Sequence, residues 1–265
     1  MIIAELKGHS GCKIYLCEQK NKKFVRKISK TEEYNYRLKK QAEKQDNFID
    51  QILKTPKIIN DGKTNGLYYF DMEYINGMNF NRYISTNTVE SIDTIIDKIF
   101  SYFKNVVTTN RDYDLEISKK INKIEQVVPI DITKYKIFCL DHDWSNISSG
   151  VCHGDLTFEN IIIYKSEPYL IDFLDSFINT TYIDISKMMQ DTILLWSWRQ
   201  ATSVPIIKNI YIQNRISSFI NPKEHQIVNR LLVLNLLRIL PYCDKKTCKM
   251  IENRLEYILK RFKEC

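Results

Sequence analysis

Residues 151–176, VCHGDLTFENIIIYKSEPYLIDFLDS, set His153, Asp155 and Asn160 in one stretch and Asp172 just after the next short apolar run. Two carboxylates and a side-chain amide so spaced form an inventory for phosphoryl transfer. One carboxylate faces the attacking hydroxyl, while the amide and the second carboxylate hold magnesium on the phosphates of a nucleotide. The flanking runs, 160–164 and 169–171, read as two short strands around a turn at Lys165-Ser166-Glu167-Pro168. A hairpin of that kind brings Asn160 and Asp172 to the same end, within reach of one cation. Any one of these side chains alone is explained as well by a solvated loop or a turn; the whole constellation carries the reading.

HGD-x4-N followed by ID-F resembles the aminoglycoside phosphotransferase and choline kinase family, small-molecule kinases with a protein-kinase-like fold. In that family HGD stands where protein kinases carry HRD, and a metal-binding Asp where they carry DFG. The resemblance implies Asp155 as the catalytic carboxylate, Asn160 and Asp172 as magnesium ligands, and His153 as a structural member of the loop. It implies ATP and Mg2+ as cofactors and a small-molecule hydroxyl acceptor (sugar, amino alcohol or aminoglycoside-like) as partner. It also implies an α+β, bilobal protein-kinase-like fold. A small antiparallel-sheet nucleotide-binding lobe would span 1–76, and a larger, mainly helical catalytic and substrate-binding lobe 77–265.

Further nucleotide machinery follows from position. In Phe24-Val25-Arg26-Lys27-Ile28, strand alternation puts Val25 and Lys27 on one face and Phe24, Arg26 and Ile28 on the other. A kinase needs a small apolar residue over the adenine and an ammonium over the phosphates, two residues apart, so Lys27 is favoured over Arg26. Family members pair that lysine with a helix Glu; here Gln41 occupies the expected register and Glu43 follows two residues on, and both cannot face one side. Gly8-His9-Ser10-Gly11 lies where a phosphate-covering loop belongs, with Ser10 and Gly11 as candidate phosphate contacts. Met72-Glu73-Tyr74-Ile75 resembles the family's hinge, which makes Glu73 and Tyr74 candidates for binding adenine through their backbone. Asp184 matches the family's Asp that opens the helix after the metal-binding segment and buttresses the catalytic loop; a helix N-cap is the compatible alternative.

The elements that must position these groups are legible in outline. Strands are expected over Ile2–Lys7, Lys13–Glu18, Lys23–Ile28, Lys57–Asn60 and Leu67–Tyr74, with a helix over Glu32–Leu53. The segment 61–66 is a turn, and Gly77 marks a boundary beyond which helical periodicity dominates. Helices are expected over Val89–Val107, Ser118–Val127, Ile132–Trp144, Asp184–Arg199, His225–Leu240 and Thr247–Lys263.

The bulk properties fit an ordinary globular chain of 265 residues, 44% hydrophobic and 27% charged. No apolar run approaches a membrane span, and the start lacks a basic segment followed by a long apolar stretch, so a cytoplasmic protein is expected. Seven scattered cysteines without a C-x-x-C pair support neither a disulfide framework nor a zinc site. The net charge of +7 is dispersed among acids and accompanies no nucleic-acid recognition motif, so no nucleic-acid partner is expected. A protein Ser/Thr kinase is the nearest rival, opposed by the missing A-P-E docking segment. A non-catalytic nucleotide-binding regulator is opposed by the intact Asp155, Asn160 and Asp172. Acceptor choice should reside between Asp175 and Arg199 and in the last helices. Trp196 and Trp198 are better explained as core than as a cation cage. Asp175 and Asp191 are candidates for holding an amine, and Arg199 for holding an anion.

Overall fold

The computed structural model describes residues 1–6 and 12–263, with side chains through Lys260. Gly8, His9, Ser10 and Gly11, the expected phosphate-covering loop, lie outside the described residues.

The N-terminal region is a five-stranded antiparallel sheet of β1 (Ile2–Leu6), β2 (Cys12–Gln19), β3 (Lys22–Ser29), β4 (Ile58–Thr64) and β5 (Leu67–Glu73), in the order β1-β2-β3-β5-β4. Its hairpins turn on residue pairs of positive φ, Lys20-Asn21 (48° and 60°) and Asn65-Gly66 (49° and 79°). Such pairs match the right-handed twist of the flanking strands. The expected turn over 61–66 therefore contracts to its last two residues, and β4 continues through Thr64.

Against this sheet packs α1 (Asn35–Asp46), burying Leu38, Gln41, Ala42 and Gln45 along one face. Leu38 and Ala42 join Val25, Tyr68, Phe70 and Met72 in a small apolar cluster. The helix expected over Glu32–Leu53 is shorter than its periodicity implied, beginning with a 3-10 turn at Glu32–Tyr34. Beyond Asp46, the Asp50 carboxylate accepts the N–H groups of Ile52 (2.8 Å) and Leu53 (2.7 Å), a local alternative to helical bonding. The break sends Phe48 into the other core, while Ile49, expected on the apolar face, is 94% exposed.

The C-terminal part is mainly helical: α2 (Phe80–Thr86), α3 (Val89–Asn105), α4 (Asp114–Glu125), α5 (Thr133–Leu140), α6 (Thr181–Leu194), α7 (Ile206–Phe219), α8 (Pro222–Ile239) and α9 (Lys245–Lys263). Short strands β6 (Met78–Asn79), β9 (Ile161–Tyr164) and β10 (Glu167–Leu170) form a three-stranded sheet, and β7 (Thr109–Arg111) pairs with β8 (Ile147–Ser149). Helices α6 and α8 run through the centre of the larger apolar cluster, where Met188, Leu232, Val233 and Leu236 are fully buried. Each such side chain contributes roughly 2 kcal/mol relative to leaving it in water. The whole is α+β, as the sequence implied.

Several details depart from the periodicity reading. α6 starts at Thr181, N-capped by Thr180 rather than Asp184, and ends at Leu195 in the left-handed region (φ 54°). Trp196–Trp198 is a separate 3-10 turn. Among the elements without a clear pattern is α7, whose Ile206, Ile207 and Ile210 are exposed, so that its apolar residues do not trace a single stripe. The cysteine expectation is also corrected: Cys243 and Cys248 form a disulfide where the chain turns into α9, with Cα atoms 5.7 Å apart. A C-x4-C spacing carries no signature of its own, and only the turn brings the pair together. Cys12, Cys17, Cys139 and Cys152 are buried. Among the described residues, no helix is long and apolar enough to cross a membrane.

Candidate active site

The catalytic-loop candidate is built on buried polar anchors. Both Asp184 carboxylate oxygens accept backbone N–H groups, one from His153 and one from Gly154, each at 2.7 Å. Asp184 is fully buried, and this burial raises its pKa to about 6 despite the two amides that favour the charged form. Gly154 sits at φ 90°, where a Cβ would meet the Leu174 carbonyl oxygen at 2.6 Å and also the Ser176 hydroxyl, so only glycine fits. His153 bonds the Ile171 carbonyl through Nε2 at 2.8 Å and accepts the Asp155 N–H on Nδ1 at 3.2 Å. Those two bonds suit the neutral ring, and burial lowers its pKa to about 4. A second buried acid, Asp191, accepts the N–H of Phe158 (2.5 Å) and both the N–H and hydroxyl of Ser197 (2.9 and 2.7 Å). Burial pushes the Asp191 pKa up to about 7.

These anchors present Asp155 at the rim, with 30% of its side chain exposed. Lys187 approaches its Oδ1 to 3.1 Å and Arg238 to 4.0 Å. Burial alone would raise the Asp155 pKa, but Lys187 and Arg238 outweigh it and hold the carboxyl below its ordinary value. Lys187 is itself buried, which lowers its pKa to about 8 against the pull of Asp155. Asn160 donates from Nδ2 to the Asp155 carbonyl (2.8 Å) and more loosely to its carboxylate (3.4 Å), leaving the amide oxygen for another partner.

The hairpin β9–β10 has the expected form. Its two-residue turn, Lys165-Ser166, has positive φ at both positions (51° and 59°), and Ile161 pairs with Leu170. One step past that pairing, the Ile171 N–H reaches the Asn160 carbonyl at 3.0 Å, so Asn160 and the residue before Asp172 lie side by side. Asp172 itself holds φ 63°, a costly conformation for a non-glycine residue that tends to mark functional segments.

Lys27 closes the set from the sheet side. Its ammonium forms an ion pair with Asp172 and lies 3.5 Å from the Gln41 amide oxygen. Burial works against its charge, but Asp172 prevails and the pKa stands above the ordinary lysine value. Of the two helix candidates, Gln41 faces Lys27, whereas Glu43 pairs with Lys40 at 2.9 Å on the outer side. Arg26, on the opposite strand face, is engaged by Asp71 at 2.7 and 2.8 Å. One helical turn beyond Gln41, Lys44 donates to the Leu174 carbonyl at 2.8 Å, so α1 grips both the strand lysine and the segment after Asp172.

Glu73 ends β5, its N–H bonded to the Lys57 carbonyl at 3.0 Å, and Tyr74 follows, partly exposed, in the linker toward Gly77. Of the candidates expected to choose the acceptor, Trp198 is core and donates to the Ser85 hydroxyl at 3.1 Å, while Asp191 serves the loop as described. Arg199 pairs with Glu159 at 2.8 Å. Asp175 lines a cleft of about 380 Å³ beside Gly154, together with Tyr36, Arg37, Lys120, Phe177 and Arg238. Lys187, Lys44 and Arg238 were not singled out from the sequence. Lys187 carried a usable signal, lying one helical turn after Asp184 and hence on the same face. Arg238 comes from α8, which no local spacing ties to the loop, and carried none.

No protein-family model and no curated protein matches the sequence. Solved structures do share its fold, aminoglycoside phosphotransferases among them. An apo thermostable mutant of aminoglycoside phosphotransferase APH(4)-Ia superimposes with a TM-score of 0.67 at 10% identity, covering 97% of this chain and 94% of that one. A ternary complex of such a mutant with ADP and hygromycin B gives 0.66 at 11% identity over 97% and 92%. A protein assigned as a fructosamine-3-kinase from Haemophilus somnus gives 0.59 at 14% identity over 96% and 91%. The similarity spans both the sheet and the helical part.

Proposed function

We propose that this protein is an ATP- and magnesium-dependent kinase of a small hydroxylated molecule, with its nucleotide lobe over 1–76 and its catalytic and acceptor lobe over 77–265. The observation that carries this reading is the chain of contacts that sets Lys27 of the sheet against Asp172, the residue before Asp172 beside Asn160, and Asn160 against Asp155. Strand β3 delivers Lys27, the loop before β9 delivers Asp155 and Asn160, and the segment after β10 delivers Asp172, while the buried carboxylates of Asp184 and Asp191 hold the loop in place. The kinase fold of the phosphotransferases above, one of them bound to ADP, supports it.

In the reaction, the acceptor oxygen attacks the γ-phosphorus of ATP, the β–γ bridging oxygen leaves with ADP, and the acceptor proton passes to Asp155. The Lys187 and Arg238 cations keep Asp155 ionised and fix its orientation toward the hydroxyl. Lys27 would bind the α- and β-phosphates, and the backbone at Glu73 and Tyr74 the adenine. Ser10 and Gly11 belong to the proposed phosphate cover. Asp172 and the Asn160 amide oxygen are hard oxygen donors of the kind magnesium takes. Among the described residues, no group of three His, Cys, Asp or Glu forms a closed metal cage. Magnesium usually binds one or two carboxylates together with substrate phosphates. When bound there, the metal supplies neutralisation of the phosphate charge that builds up in transfer. Positioning and electrostatics then account for most of the rate.

The test is ADP release from ATP and magnesium over a panel of sugars, sugar phosphates, amino alcohols and aminoglycosides. Acceptor-stimulated release is expected, with at least a ~100-fold loss in Asp155→Asn. Stimulated release that survives in that variant would refute the assignment.

A further inference from the structure

The cleft beside Gly154 has an electrostatic character that the phosphotransferase reading alone does not require. Arg37 enters it from α1, Lys120 from α4 and Arg238 from α8, and Asp175 is the one acid among its lining residues. Among the described residues, no carboxylate lies within ion-pair distance of Arg37 or Lys120, and the one reached by Arg238 is Asp155, at 4.0 Å. The Lys120 ammonium rests over the Phe177 ring, 5.3 Å from its centroid, a contact that orients the cation without neutralising it. Burial, and then the neighbouring Arg238, Lys123, Lys187 and Arg37 charges, lower the Lys120 pKa to about 8. Three helices distant in sequence thus bring three like charges together at a cost, with Asp175 and Asp155 the acids described beside them.

Such a wall repels an acceptor carrying ammonium groups and attracts one carrying a phosphate or carboxylate. Guanidinium and ammonium groups converging on one spot form the usual recognition element for those anions. The cleft adjoins Gly154, one residue from Asp155, so an anion held there leaves a hydroxyl of the same molecule to reach the catalytic carboxylate. Resting on the phosphotransferase reading above, we infer that Arg37, Lys120 and Arg238 bind the anionic group of the acceptor, making the substrate class a hydroxylated phosphate or carboxylate such as a sugar phosphate or sugar acid. Aminoglycosides and amino alcohols are then excluded.

The direct test is calorimetric titration of the full chain, saturated with AMP-PNP and magnesium, with four probes: glucose 6-phosphate, glucuronate, glucose and kanamycin. The expected result is binding of at least one of the two anions, ten-fold or more tighter than glucose, and no binding of kanamycin. Glucose 6-phosphate binding assigns the anion as phosphate; glucuronate binding assigns it as carboxylate. The Arg37→Gln/Lys120→Gln double variant should weaken the bound anion at least ten-fold. Asp175→Asn should tighten it several-fold, a gain that misfolding cannot produce. Failure of both anions to bind, equal binding of glucose, binding of kanamycin, or an anion affinity untouched by the double variant would each overturn the inference. Titration with AMP-PNP alone reports separately on the underlying reading: its absence removes the kinase proposal, whereas nucleotide binding without anion binding removes only the acceptor class.

Discussion

The loop that carries Asp155 and the cleft beside it are held by opposite means. The loop is tied down by buried carboxylates: Asp184 takes two backbone amides, Asp191 takes a third, and the neutral His153 ring bridges the two aspartate-bearing segments. Each unit of that scaffold is satisfied, so the loop has little freedom. The cleft wall is instead a set of cations from three helices, of which Arg238 reaches Asp155 at 4.0 Å and Lys120 rests over the Phe177 ring. Under the proposed function, the difference separates chemistry from selection. Groups that must meet a transition state are locked by satisfied hydrogen bonds, while groups that meet a ligand are left with capacity to spare.

The comparison can be broken at its strongest point first. Asp184→Ala leaves the His153 and Gly154 amides orphaned, at roughly 1–3 kcal/mol each. The expected outcome is a fall in acceptor-dependent turnover of about 100-fold or more with a clear drop in Tm, read by steady-state kinetics and thermal unfolding. Turnover within a few-fold of the wild type would mean that the loop is not held from below. Lys27→Met removes the cation proposed for the α- and β-phosphates and should weaken ATP binding by about 10- to 100-fold, measured by titration. An unchanged affinity would detach Lys27 from the nucleotide.

A subtler prediction concerns Lys187, whose pKa of about 8 puts its neutralisation within an accessible range. As pH rises through that value Asp155 loses its nearest cation, so turnover should decline on the alkaline side. Lys187→Arg, which keeps its charge, should move that limb upward if the residue positions Asp155 electrostatically. A limb that stays in place would assign the decline to another group. The smallest effect at neutral pH belongs to His153. Burial lowers its pKa from 6.5 to about 4, so the folded chain binds fewer protons than the unfolded chain between those values. Stability should therefore fall as pH drops through that window, by on the order of 3 kcal/mol in full. His153→Asn should flatten this part of the Tm profile, and an unaltered slope would point to other groups.

The same contrast explains what the sequence disclosed. The loop and hairpin are contiguous, so residue types and spacing over 151–176 sufficed to place Asp155, Asn160 and Asp172 near one another, and strand alternation picked out Lys27 over Arg26. Gln41 and Glu43 were inseparable without the helix rotation that turns one toward Lys27 and the other toward Lys40. The cation wall left no trace, because Arg37, Lys120 and Arg238 meet only through packing. Asp191 drew notice as a candidate acceptor contact and instead supports the loop, while Trp198 is core, as its apolar setting in the sequence favoured. The end of α1 at Asp46 was hidden because an Asx turn at Asp50 competes with a periodic pattern that continues past it.

The central claim is most directly tested by following the label from [γ-32P]ATP in the presence of magnesium and a hydroxylated anion that binds the cleft. The expected result is label on the acceptor with the wild-type chain and none with Asp155→Asn at equal nucleotide occupancy. Label found only in inorganic phosphate, or equal transfer by both proteins, would contradict it.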